Sequence, residues 1–165
     1  MQFKFKPGDN YTLSDNGLIA TKTKGGIDWN CTIIGDREIS KNKITKFKIK
    51  INDISQNSIN LWNILVGIGP ENFNKEINYQ RKCWSFICGE SKLDLKNKIG
   101  KYNGRKGKIK KGGIIEVIVD RKLGNLSFSV NDVNYGIATN QIPQEDQLYP
   151  IINMFDENQS IEILN

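Results

Sequence analysis

Nucleophilic and acid–base chemistry draws most often on histidine, cysteine and paired carboxylates, and this chain of 165 residues offers little of each. It has no histidine, which removes Ser-His and Cys-His nucleophile pairs and His-liganded zinc. Its three cysteines, Cys31, Cys83 and Cys88, fall short of the four thiolates of an all-cysteine metal site. Cys83 and Cys88 are an odd number of positions apart, so on one strand they face opposite sides and cannot bridge. All three read as buried free thiols of a reducing compartment. Glu116 and Asp120 share a strand face but stand roughly 13 Å apart by strand rise. A glycosidase pair needs about 5–9.5 Å. Glu145-Asp146 and Asp156-Glu157 are adjacent loop acids and read as turn formers. Gly104-Arg105-Lys106-Gly107-Lys108 has the look of a phosphate loop, yet Tyr102 stands where the Walker pattern needs glycine and Ile109 where it needs Ser or Thr. No enzyme, no cofactor and no metal is expected.

The elements that would hold any site are strands. Ile115, Val117 and Val119 share one face of a strand over Ile114–Val119, and Leu126, Phe128 and Val130 share one face of the next. Asp120–Asn125 makes the bend between them, and Asn131-Asp132 turns into a third strand, Val133–Ala138. Phe47, Ile49 and Ile51 alternate with Lys46, Lys48 and Lys50 over Ile44–Ile51, one dry face and one wet. Leu61–Gly69 and Cys83–Cys88 are near-continuous apolar runs, fit for central strands. Shorter strands are expected at Phe3–Phe5, Tyr11–Leu13, Leu18–Thr21, Trp29–Ile34, Leu148–Ile152 and Ser160–Leu164, with Lys22–Asp28 and Pro70–Lys82 as loops. About a dozen strands and no convincing helix predict an all-β sandwich or barrel in a single domain.

Net charge is +6. Ile, Asn and Lys are over-used throughout, so the excess reads as lysine spread over the surface rather than a nucleic-acid footprint. The densest basic stretch is Lys92–Lys111. No run approaches a membrane span of roughly 18 apolar residues. The start, MQFKFKPGDN, has no apolar core of a secretory signal. The setting expected is intracellular, cytoplasmic or nuclear.

From Leu61 onward the chain resembles the SPRY domain family. Val66–Gly69 (VGIG) is similar to its central strand, Cys83–Phe86 (CWSF) to its tryptophan strand and Ile99–Gly104 (IGKYNG) to its glycine-tyrosine loop. Lys110–Ala138, KKGGIIEVIVDRKLGNLSFSVNDVNYGIA, matches the family's long hairpin signature nearly residue for residue. Leu148–Met154 (LYPIINM) and the closing SIEIL complete it. Upstream, WNCTIIGDREISKNKITKFKIKI resembles the family's entry strands, with Thr45-Lys46-Phe47 in place of Tyr-Trp-Glu. No PRY-type LDPDTA motif is present, so the resemblance is to a SPRY-only domain spanning 1–165.

That resemblance implies a bent antiparallel β-sandwich of the concanavalin A-like, jelly-roll class, without catalysis. It implies a monomeric module that binds a partner protein or short peptide through loops at one end, as adaptor, scaffold or ubiquitin-ligase substrate receptor. Carried over by position, the partner-binding residues are Lys22, Lys24, Gly25 and Gly26 in the loop Lys22–Ile27, Tyr79 in the loop Pro70–Lys82, and Met154, Phe155 and Asp156 after LYPII. These three segments must meet on one rim. Trp84 is assigned to the core, and Asp120 and Asn131 to turns. A lectin-like carbohydrate binder and a basic module touching nucleic acid are the alternatives. Salt dependence separates the latter, because phosphate binding weakens steeply with salt.

Overall fold

The computed structural model describes residues 2–55, 62–71 and 82–165. Thirteen strands lie among them: β1 Tyr11–Ser14, β2 Ile19–Lys22, β3 Cys31–Ile34, β4 Thr45–Asp53, β5 Ile64–Gly69, β6 Trp84–Ile87, β7 Lys92–Leu95, β8 Ile99–Lys101, β9 Ile114–Asp120, β10 Asn125–Val130, β11 Val133–Thr139, β12 Tyr149–Met154 and β13 Ser160–Leu164. They form a seven-stranded sheet, β1-β2-β13-β4-β9-β10-β11, and a six-stranded sheet, β3-β12-β5-β6-β7-β8. Every pairing is antiparallel. The expected all-β sandwich is what the chain folds into.

Alternation explains the packing. In β4, Phe47, Ile49 and Ile51 are buried while Lys46 is exposed. Register puts Phe47 beside Val117 and Ile49 beside Ile115, so two apolar faces continue each other across the sheet. β5 is buried along its whole length, as its unbroken apolar run demands, and lies between β12 and β6. Gly67 permits that closeness: a Cβ there would stand 1.9 Å from the Trp84 carbonyl oxygen. Phe86 from one sheet packs on Phe128 from the other at 5.7 Å between ring centroids. Tyr102 joins them edge-on and spends its hydroxyl on the Gly136 carbonyl and the Phe128 N–H. Trp84 is buried in this core.

Expected turns appear where the residues place them. Asp120 Oδ1 accepts the N–H groups of Lys122 and Leu123, and Asn131 takes a positive φ of 48° between β10 and β11. Some boundaries differ. Phe3 and Phe5 are core residues, but only Phe5 bridges, to Gly35. β3 starts at Cys31 rather than Trp29, and β5 at Ile64, after Asn63 at φ 47°. All three cysteines are free and buried.

The strand polarity gives the sandwich two ends. One gathers the C-termini of β2, β4 and β12 with the N-termini of β3, β5 and β13, since Met154 pairs with both Cys31 and Ile64 and Ser160 pairs with both Thr21 and Asp53. The other gathers the β9–β10 turn and the loops before β4 and β12. A buried cation holds each end. Arg121 closes the second, donating to the carbonyls of Ile39 (3.3 Å), Pro143 (2.9 Å), Gln144 (2.6 Å) and Asp146, with Glu38 at 3.7 Å. Lys22 closes the first.

Candidate functional site

Lys22 ends β2 with a fully buried side chain. Its Nζ donates to the Asp28 carbonyl at 2.7 Å and the Phe155 carbonyl at 2.6 Å. A strand of the seven-stranded sheet thus grips two loops that flank strands of the other sheet. Burial lowers its amine below the ordinary lysine value; Cys31, Asp28, Asp156 and Glu157 oppose that shift. The two loops also bond each other: Asp28 N–H donates to the Phe155 carbonyl at 3.1 Å, and Gly26 N–H to Glu157 Oε1 at 2.8 Å. Beneath them the buried Gln159 accepts the N–H groups of Phe155 (2.8 Å) and Asp156 (3.0 Å) and donates to the Ile54 carbonyl at 3.3 Å.

On this frame sits an aromatic rim. Trp29 and Phe155, each half-buried, lie with ring centroids 5.2 Å apart and planes tilted by 55°. Ile27 beside them is 58% exposed. Gly26 has a positive φ of 61° and open space where a Cβ would stand, so another backbone can approach it. Gly25 is left-handed too, and the Asn30 side chain fills its Cβ position while donating to its carbonyl at 2.9 Å. Past Lys24, residues Gly8–Thr12 and Thr23 complete a recess of about 460 Å³. Asp28, exposed, and Glu157, half-buried, supply carboxylates. The arrangement suits recognition of an apolar side chain flanked by polar backbone contacts. Among the described residues no three His, Cys, Asp or Glu side chains are grouped to hold a metal ion.

The expected residues divide. The loop Lys22–Ile27 and the segment Met154–Asp156 do come together. Lys24, Gly25 and Gly26 are exposed there, and Phe155 presents a face. Lys22, Met154 and Asp156 are a correction to the expectation of direct contact: each is buried and supports the rim from inside. Tyr79 lies outside the described residues. The strand ends that flank its loop, Gly69 and Trp84, belong to the opposite end of the sandwich, where Gly69 pairs with Tyr149. The three segments are therefore not shown to meet. Trp29 was missed as a rim residue, because the apolar run after it reads as one strand. Its neighbours Asp28 and Asn30 carried the turn signal.

A scan against protein-family profiles matches the Neuralized family over residues 3–165. The chain belongs to the Neuralized family. The match takes in the N-terminal half as well, where Thr45-Lys46-Phe47 stands in place of the SPRY Tyr-Trp-Glu. Among solved structures, the SPRY domain of human HERC1 superposes with a TM-score of 0.75 at 17% identity, covering 98% of this chain and 97% of that one. The TRIM65 PSpry domain gives 0.73 at 10% identity, over 100% and 93%. The Drosophila melanogaster neuralized-NHR1 domain gives 0.66 at 19% identity, over 99% and 98%. These likenesses fix the fold: a Neuralized domain is a SPRY-like sandwich. No curated protein sequence matches significantly. Neuralized and SPRY domains are protein-interaction folds, and this Neuralized chain is a protein-interaction module of that kind. Among its described residues no helix is long and apolar enough to cross a membrane.

Proposed function

We propose that this domain takes a short segment of a partner protein on the rim of Trp29, Phe155 and Ile27, as the receptor or scaffold part of a larger assembly, and that it performs no chemistry itself. The observation that carries the reading is the Trp29–Phe155 pair standing on two loops that Lys22 locks together. Exposed apolar and aromatic side chains on a rigid frame lose little entropy on binding, so they anchor partners effectively. Lys24, Gly25 and Gly26 border that anchor and offer it polar contacts; Met154 and Asp156 keep its loop in place.

The test is binding to immobilised domain, wild type against Trp29→Ala/Phe155→Ala, with Leu123→Ser as a control at the opposite end. Leu123 is 68% exposed and far from the rim. Loss of the specifically bound proteins on the rim variant, and their retention on the control, is expected. Identical bound sets on all three refute the rim.

A further inference from the structure

The densest cationic stretch of the chain has no place in the function above, and its last residues lie at the same end of the sandwich as the aromatic rim. Lys101, Lys106, Lys108 and Lys110 are exposed and form no ion pair among the described residues, whereas Lys92 pairs with Glu90 and Lys111 with Asp53. Gly104, Gly107 and Gly112 between them meet nothing within 4 Å at their Cβ positions, so the surface above the loop is open. The loop is fixed at its end: Gly112 N–H donates to the Ile51 carbonyl at 2.7 Å, and Lys111 Nζ is 3.8 Å from Asp53. Asp53 pairs with Ser160, and Ile54 bonds Gln159, the residue that holds Phe155. Phe155 N–H bonds the Asn63 carbonyl just before β5, β5 pairs with β6, and the Cys88 carbonyl just after β6 accepts the Ile109 N–H between Lys108 and Lys110. Three strand spacings make about 15 Å, the length of roughly four to five extended residues.

Resting on the rim reading, we infer that the partner segment is polarised: an apolar anchor seated at Trp29 and Phe155, followed by acidic residues three to six positions away that lie over Lys106, Lys108 and Lys110. Charge argues for both parts. Asp28 and Glu157 flank the anchor and repel acids placed next to it, while the lysines attract acids farther along. A nucleic acid fits less well. It would use the lysines, but Tyr135 is covered by the Arg105 guanidinium at 4.4 Å, and Asp28 and Glu157 beside the Trp29–Phe155 pair repel phosphates from that aromatic surface.

Selection of random dodecapeptides displayed on phage, at about 0.15 M salt, tests this with three proteins: wild type, Lys106→Glu/Lys108→Glu/Lys110→Glu, and Phe155→Ala. Thermal unfolding of each variant is measured alongside. Wild type should enrich an aromatic or aliphatic residue with Asp or Glu three to six positions away. The lysine variant should keep the anchor and lose the acids, and it should bind a wild-type-selected peptide about tenfold more weakly. If wild type enriches anchors without acids and the lysine variant selects the same peptides, the inference falls while the rim stands. If Phe155→Ala selects the wild-type consensus unchanged, or wild type yields no consensus, the rim falls and the inference with it. If wild type enriches acids without an anchor and a single-stranded DNA dodecamer displaces them, the surface is a plain polyanion site and the inference is overturned.

Discussion

Lys22 carries the rim's geometry at the scale of single residues. A charged amine is buried only where carbonyls replace water, and here Asp28 and Phe155 do so. Its burial was not legible in the sequence, because lysine beside a Gly-Gly loop reads as solvated and only the tertiary cup reverses that. Lys22→Met leaves the Asp28 carbonyl without its donor and the Phe155 carbonyl with the Asp28 N–H alone, and it relieves the cost of burying the charge, for a net loss of about 1–3 kcal/mol. Denaturant unfolding reads the loss, and weaker partner binding should accompany it. The thiols set a second expectation. Burial raises Cys31 and Cys83 to about 12 and Cys88 in the same direction. The folded chain then keeps protons that the unfolded chain releases above about pH 8.5. Stability is full below that pH and falls as pH rises toward 12, by about 1.4 kcal/mol per unit for each thiol. Lys22, with its lowered value, acts in the opposite sense, but it is one group against three. Denaturation midpoints at neutral pH and near pH 10 should differ accordingly, and Cys88→Ala should flatten the slope.

Strands were the most legible scale, and the reason is local. Period-two alternation in Ile114–Val130 and unbroken apolar runs at Val66 and Phe86 are direct consequences of which faces are buried. Ends were less legible, since they are fixed by what the chain meets next. Asn63 turns at positive φ before β5, and Trp29 packs against Phe155 instead of opening β3. That contact joins residues 126 positions apart, so no local pattern announces it. Close packing of elements gives its own prediction. Gly67→Ala drives a methyl to 1.9 Å from the Trp84 carbonyl in the neighbouring strand, and backbone cannot yield as a side chain can. A loss of more than about 3 kcal/mol is expected. A Gly67→Ala protein with unchanged unfolding would mean that β5 and β6 stand farther apart than described.

The whole molecule is a sandwich locked at both ends by a buried cation, with different surfaces above each. The Arg121 end ties loop to loop through backbone carbonyls and leaves Ile44 and Leu123 as exposed apolar residues. The Lys22 end sets an aromatic pair on its two loops and continues into a basic surface whose Lys106, Lys108 and Lys110 form no ion pair among the described residues. The family resemblance reached the proposed docking end only in part, because loops vary where strands do not. It brought Phe155 and Lys24–Gly26 to the rim, and the flanks of the Tyr79 loop belong to the other end. The claim that the Lys22 end is the docking surface is tested most directly by photocrosslinking. A benzophenone amino acid is placed at Ile27 or at Leu123, and partner adducts are resolved by mass. Adducts from position 27 that disappear with Phe155→Ala, and none from position 123, are predicted. Adducts from position 123 with none from position 27 would contradict the account.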